Sequence, residues 1–244
     1  MSEAVIVSRK DAVLTLKINR PEDENRINRA AMEAIVKGLT QAENDPSIRV
    51  VVITGTPEYF CSGGRVEVDA NGQFIDQPGY ARAIAAMHEQ LDRIPAPIIA
   101  AVSGHCVAGG TALLAGADLA IAVEDAQFGF PEINHGRFPV LALASALPLF
   151  PKKRAFEAFY FGERFSAREA LDLHLINKVV PRAEFDDAVD DYVQKLLSKN
   201  PASLPFGRKA YYAMETMSPG SRIAHGQALL QGLLAGAEKG GFKG

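Results

Sequence analysis

The 244-residue sequence lacks nearly every feature that marks a familiar chemistry at first sight. Its two cysteines, Cys61 and Cys106, are too few for a disulfide framework, and neither sits in a metal-ligand spacing. Its five histidines, His88, His105, His135, His174 and His225, lie far apart, and no local ligand pair argues for a metal. There is no P-loop lysine motif, no G-x-G-x-x-G, no H-E-x-x-H and no internal repeat. A formal net charge of -3 provides no global attraction for nucleic acid, and no lysine-rich helix or basic stripe provides a local one. The N-terminus lacks a basic region followed by an apolar one, so a mature cytoplasmic protein is expected. One uncharged run, Pro97 to Ala117, is long enough to cross a bilayer. It has no aromatic belt or basic flank, and it carries Gly104, Gly109, Gly110 and Gly116. A buried strand, a glycine turn and a buried helix are expected there instead of a membrane span.

What is present is a globular composition, 48% hydrophobic and 23% charged, of a length that suits one large domain or a core with an appendage. Ala4–Ser8 and Ala12–Ile18 read as a hairpin around Lys10-Asp11. Asn28 can cap a helix carrying Met32, Ile35, Val36 and Leu39 at helical spacing. The β-branched run Val50–Ile53 reads as a strand buried on both faces, as in a parallel sheet. Residues 54–79 read as a long loop. Tyr80, Ile84, Met87, Leu91 and Ile94 then repeat at helical spacing until Pro95 and Pro97. Buried strands follow at Ile98–Val102 and Leu119–Val123, a helix from Pro151 to Tyr160, a capping box at Ser166–Glu169 and a strand at Ile176–Val180. Helices are expected at 184–199, 202–216 and 221–238. The order implies an α/β core over residues 1–190 and a helical region over 191–244.

Three places can carry chemistry. Ser103 follows a strand, but the positions where a nucleophile turn needs glycine hold Ala101 and His105, so a serine hydrolase is set aside. Two glycine turns follow buried strands, Phe60-Cys61-Ser62-Gly63-Gly64-Arg65 and Ala108-Gly109-Gly110-Thr111. Together they could aim two backbone N–H groups at one oxygen that gains charge, although either alone reads first as a plain tight turn, since glycine turns are common. Glu132 lies in Phe128-Gly129-Phe130-Pro131-Glu132, among apolar residues that would raise its pKa if it were buried. An exposed loop glutamate is the alternative, and composition does not choose between them.

These residues carry a resemblance to the crotonase, or enoyl-CoA hydratase/isomerase, family. Asn19-Arg20-Pro21 with Asn25-Arg26-Ile27-Asn28 resembles its N-R-P…N-A-L-N opening, and Phe60–Gly64 its F-C-A-G-x loop. Ser103–Gly110 resembles N-G-x-A-x-G-G-G. Ala117-Asp118 through Ala126–Ile133 resembles A-C-D-x-x-x-A…A-x-F-G-x-P-E-I. Phe165-Ser166-Ala167, Glu169-Ala170 and Asn177–Val180 fit the later part, and the match runs in order from about residue 12 to 213. The resemblance implies an α/β crotonase (ClpP-like) spiral of ββα units, with C-terminal helices that assemble homotrimers or homohexamers; that no nucleic acid or membrane is a partner is expected from the charge and composition above, not from the resemblance. It implies acyl-CoA or enoyl-CoA thioester substrates, enolate chemistry and no cofactor beyond the CoA of the substrate. Carried over by position, Gly64 and Gly109 are the oxyanion-hole donors and Glu132 the catalytic carboxylate. Arg26, Ile27, Ser62, Arg65 and Val66 fall where the family holds CoA, and Phe130, His135 and Phe138 fall near the acyl group.

The departures bear on the reaction. Hydratases of the family use a second glutamate, and that position here is Ala112, which cannot position water or move a proton. A single glutamate is the arrangement of many Δ3,Δ2-enoyl-CoA isomerases, in which one base removes a proton at C2 and returns it at C4. Arg26 and Arg65 replace a usual alanine and aspartate and, like Lys17 or Lys209, either face CoA phosphates or are solvated surface charges. His135 is a second proton-transfer group or a surface histidine. The family's basic ending is not recognisable after Lys239. An isomerase-type enzyme is therefore expected. Its competitors are a hydratase with a non-standard second group and an acyl-CoA-binding protein with little catalysis.

Overall fold

The alternation V-L-T-L-K-I, with Leu14, Leu16 and Ile18 inward, builds β2 (Val13–Ile18) against β1 (Val5–Lys10). In this computed structural model, which describes residues 3–66, 69–71, 75 and 78–238, the pair is an antiparallel hairpin with Val5 opposite Ile18. The turn falls at Asp11-Ala12, one residue later than expected, with Asp11 at φ 52°. α1 (Arg29–Asn44) starts where the Asn28 side chain accepts the Ala31 N–H at 2.9 Å, and its stripe of Met32, Ile35, Leu39 and Ala42 is buried.

The chain then makes repeated turns of strand, strand and helix. β3 (Val50–Thr54) leads to β4 (Tyr59–Cys61) and α2 (Tyr80–Arg93), and β5 (Ile98–Val102) to β6 (His105–Val107) and α3 (Gly109–Ala115). β7 (Leu119–Val123) leads to β8 (Gln127–Gly129), a 3-10 turn (Pro131–His135) and α4 (Val140–Ala146). α5 (Lys152–Phe161), β9 (Arg164–Ser166), α6 (Ala167–Asp172) and β10 (Lys178–Val180) complete the core, followed by α7 (Phe185–Leu197), α8 (Ser203–Glu215) and α9 (Pro219–Glu238). First strands of each turn join one sheet, in order β1-β2-β3-β5-β7-β10, parallel from β2 onward. Second strands join another, β4-β6-β8-β9, with only β9 antiparallel. The expected α/β spiral of ββα units is thus observed. β3 and β5 are buried almost throughout, as their unbroken apolar runs required.

Several elements differ from the expectation. The long loop at 54–79 contains β4, and the glycine-turn segment after β5 contains β6. Three-residue strands hold too little alternation to be read, and their partners are remote in sequence. α4, sequence V-L-A-L-A-S-A, was hidden because its apolar residues show no helical period. The expected strand from Ile176 is paired only over Lys178–Val180. α7 spans the core boundary expected near residue 190, burying Phe185, Ala188 and Val193. The segment after residue 238, including the ending judged unlike the family's, lies outside the described residues.

Two arginines fasten the spiral. Arg182 donates to the carbonyls of Pro57 (2.7 Å) and Ser103 (2.8 Å) and to both oxygens of Asp125, tying together the corner loops after β3, β5 and β7. Arg208 of α8 is buried, donating to both oxygens of Asp118 and to the carbonyls of Leu91 and Asp92 at the end of α2. Asp118 also accepts the Ile98 N–H at 2.7 Å. Removing the guanidinium leaves a partly buried carboxylate and several carbonyls short of donors. Arg208→Ala is expected to lose about 3 kcal/mol in urea unfolding and to loosen α8 from the core, read by amide exchange in residues 203–215.

Candidate active site

The first glycine turn is shaped by a loop laid beside it. Asn25, fully buried at φ 54°, accepts the Arg20 N–H through its side chain and donates to Thr56 Oγ1 at 3.1 Å. That holds residue 27 against the turn. Ile27 N–H donates to the Gly63 carbonyl and Arg65 N–H to the Ile27 carbonyl, both at 2.8 Å. This parallel bridge uses the groups on either side of Gly64 and turns the Gly64 N–H away from Ile27. Gly63, at φ 101°, takes a conformation that disfavours any side chain.

The second turn follows β6. Ala108 N–H donates to the Gly129 carbonyl at 2.8 Å, and Ala108 itself sits at φ 54°, ψ −131°, a region usually left to glycine. Gly109 begins α3, so its N–H has no carbonyl one turn earlier to bond. The two turns touch: a Cβ built on Gly109 would lie 3.3 Å from the Gly64 nitrogen, and one on Gly110 would overlap the Cys61 carbonyl. The parallel pairing of β4 with β6, Cys61 opposite Cys106, brings them together. The two amides expected to form an oxyanion site are therefore neighbours. Both thiols are buried and free, and burial pushes Cys61 up to about 12 and Cys106 well above its ordinary value. They are small, inert, protonated spacers. Ser103 is equally inert, its hydroxyl donating to the Thr56 carbonyl at 2.8 Å.

Glu132 sits on the 3-10 turn after β8, whose Gly129 pairs with Val107 immediately before the second glycine turn. Asn134 anchors the turn by donating to the Gly162 carbonyl at 3.0 Å. Glu132 Oε2 is buried and has no hydrogen-bond partner among the described residues. Burial raises the Glu132 pKa, with smaller opposing effects from its own backbone N–H and the Arg137 guanidinium.

Glu132, Gly64 and Gly109 line one cavity of about 690 Å³. Of the other expected residues, Arg26, Ile27, Ser62, Arg65, Val66, His135 and Phe138 line it too. Phe130 does not, which corrects the expectation: it is fully buried and stacked on Phe159, ring centroids 4.2 Å apart, because its backbone continues from inward-facing β8. Arg26 and Arg65 are already paired, Arg26 with Glu24 (2.7 Å) and Arg65 with Asp23 (2.7 Å). Ala112 is buried and faces the cavity, leaving Glu132 and the ion-paired Glu24 as its only carboxylates among the described residues. Tyr80, His88 and Arg137 were missed. Tyr80 belonged to a helical stripe read as core, and His88 lies one position beside that stripe. No group of three or more His, Cys, Asp or Glu among the described residues could hold a metal ion. No described helix is long and apolar enough to cross a membrane.

Two adjoining backbone amides and a carboxylate with one buried oxygen unpartnered among the described residues, in one cavity on a ββα spiral, define a crotonase-fold protein. Residues 8–239 match the family described as enoyl-CoA hydratase/isomerase, and the chain belongs to that family. The carnitinyl-CoA dehydratase of Salmonella enteritidis PT4 is 31% identical over 219 residues, 89% of this chain and 83% of that protein. An enoyl-CoA hydratase structure from Mycobacterium smegmatis superposes with a TM-score of 0.88 at 29% identity, covering 94% of this chain and 90% of that one. Human enoyl Coenzyme A hydratase domain-containing protein 3 has the same fold, with a TM-score of 0.87 at 23% identity over 95% of this chain and 92% of that one. An acyl-CoA-type substrate is consistent with this membership.

The contact between the turns makes two substitutions act in opposite directions. Gly110→Ala forces the Cys61 carbonyl away and is expected to cost about 2 kcal/mol. Ala108→Gly relieves the backbone at residue 108 and is expected to add about 1 kcal/mol, less the entropy of the added glycine. Urea unfolding of both variants checks the pair.

Proposed function

We propose that this protein moves one proton on an acyl-CoA thioester with a single carboxylate, in the manner of a Δ3,Δ2-enoyl-CoA isomerase. The observation that carries the reading is Glu132 Oε2, buried without a partner in a cavity where Ala112 supplies no second carboxylate. Such an oxygen is costly to leave unpaired unless a ligand's C–H or water meets it. In the reading, the thioester oxygen rests on the Gly64 and Gly109 amides. Glu132 takes a proton from C2 of a 3-enoyl-CoA, and the electron pair delocalises onto that oxygen. The same carboxyl then returns the proton to C4, giving the 2-enoyl-CoA with no net change in atoms. The two amides hold the developing charge more tightly than the neutral thioester. A base raised by burial is close in proton affinity to what both half-reactions need.

Other features support the binding part of the reading. Arg26, Arg65, Ile27, Ser62 and Val66 gather along the side of the cavity next to Gly64, where the CoA moiety would lie. Arg65 also borders a polar cleft with Arg20 and Arg29, but Glu22 and Asp23 line it too and each arginine is ion-paired, so the cleft adds little to the case for phosphate binding. On the C-terminal helices Tyr211, Ile223, Leu230 and Leu234 are exposed, which supports association of copies into trimers or paired trimers. A second reading is dehydration or hydration, as the name of the Salmonella relative suggests. The observation that favours it is His135, which lines the cavity one turn after Glu132 and could serve as the second proton donor.

Glu132→Gln is expected to lower turnover of a 3-enoyl-CoA by about a thousandfold or more while acyl-CoA binding persists. Retained turnover would remove Glu132 as the base. Because burial raises the Glu132 pKa and the base must be ionised, kcat/KM should fall as pH drops, with a midpoint above that of an ordinary glutamate. Crotonyl-CoA hydration, followed by loss of the conjugated-thioester absorbance, should be weak. Efficient hydration that is lost in His135→Ala would support the dehydratase reading.

A further inference from the structure

Tyr80 opens α2 and reaches back across the cavity to the first glycine turn. Its hydroxyl occupies the volume that a Cβ would fill at Gly64. On standard bond lengths this places the phenol oxygen within roughly 4 Å of the Gly64 nitrogen, on the cavity side of the turn. The position is held from behind, since Met87 and Leu91 of the same helix are buried in the core. Ile84, Met87 and His88 line the cavity beyond Tyr80, so the hydroxyl stands at one end of this lining and the helix side chains continue along it.

We propose that the Tyr80 hydroxyl is a third donor to the thioester oxygen, beside the amides of Gly64 and Gly109. The inference rests on the reading that an acyl-CoA carbonyl occupies those amides, and it adds a catalytic residue to that site. Half-buried phenols usually find a hydrogen-bond partner, yet the Tyr80 hydroxyl forms no side-chain hydrogen bond among the described residues. An oxygen on the two amides would supply one. Burial pushes the phenol up to about 12, with Cys61 adding to the effect and Arg137 opposing it. The group therefore keeps its proton at any working pH and acts as a donor, leaving proton removal to Glu132. The arrangement also gives a reason for glycine at position 64: a side chain there would expel the hydroxyl from the site. A neutral O–H aimed where charge develops strengthens its bond as the enolate forms, so its effect falls on kcat more than on KM.

Acetoacetyl-CoA tests this without turnover, since its enolate has its own near-ultraviolet absorbance. Bound to the unmodified full chain, it should ionise at a lower pH than in solution. In Tyr80→Phe, which keeps the ring and its packing, the apparent pKa of the bound ligand should rise by about one unit, a tenfold loss of enolate. With a 3-enoyl-CoA, kcat should fall about 10- to 100-fold and KM change less than about threefold. Fluorotyrosine at position 80, a stronger donor of nearly the same shape, should shift the bound ligand's pKa the other way. Equal ionisation by Tyr80→Phe and the unmodified chain, or a loss confined to KM, would overturn the proposal and leave the thioester reading intact. Failure of the unmodified chain to bind acetoacetyl-CoA would overturn both.

Discussion

At the contact between the two glycine turns, the Cys61 carbonyl lies where any side chain at Gly110 would have to go, and Gly109 abuts the Gly64 nitrogen. The proposed chemistry depends on that backbone-to-backbone approach. Two amides can serve one oxygen only if nothing stands between them, and only small residues permit it. The approach is set by the parallel pairing of β4 with β6, three residues each, and those strands are held in turn by the larger sheet. The site is thus a product of register: a slip in the smaller sheet would part the turns.

The frame holding that register is polar as much as apolar. Asn25 and the Ile27 bridge press the 20–27 loop onto the first turn, and Arg182 joins three successive corners. Ala108 is held in a conformation that costs energy for a residue with a side chain. That strain sits directly before one of the two amides, and it persists because the Gly129 carbonyl holds the Ala108 N–H and Gly63 packs against the Ala108 methyl. The cysteines fit the same logic, their size and inertness mattering more than their sulfur chemistry.

The chain belongs to the enoyl-CoA hydratase/isomerase family, and its cavity surrounds Glu132 with a particular set of neighbours. Ala112 contributes no proton-transfer group, while Tyr80, His135 and Arg137 bring polar groups to the same cavity. On the proposed reading, one desolvated carboxylate beside several polar groups would shift a proton along a substrate. On the second reading proposed, adding or removing water would use His135, which lines the same cavity. Fold likeness does not decide between these, because the chemistry lies in the side chains grafted onto a shared frame.

The main-sheet strands were legible because Val50–Ile53 and Ile98–Val102 are unbroken apolar runs, and α1 because Asn28 and its buried stripe follow local rules. The order of motifs singled out Gly64, Gly109 and Glu132, which line one cavity. The smaller strands, α4, and the places of Tyr80 and Phe130 were not legible. Tyr80 looked like one more position of an apolar helical stripe and Phe130 like a residue near the acyl group, yet Tyr80 faces the cavity and Phe130 stacks on Phe159 inside the core. By itself, then, the sequence determined which segments are buried, where the backbone can turn tightly and which carboxylate is surrounded by apolar residues, since these follow from neighbours along the chain. Only the tertiary structure decided that the two turns touch, that Glu132 Oε2 is buried without a hydrogen bond among the described residues and that a tyrosine from α2 stands over Gly64, because each depends on segments remote in sequence, brought together by strand register and helix packing.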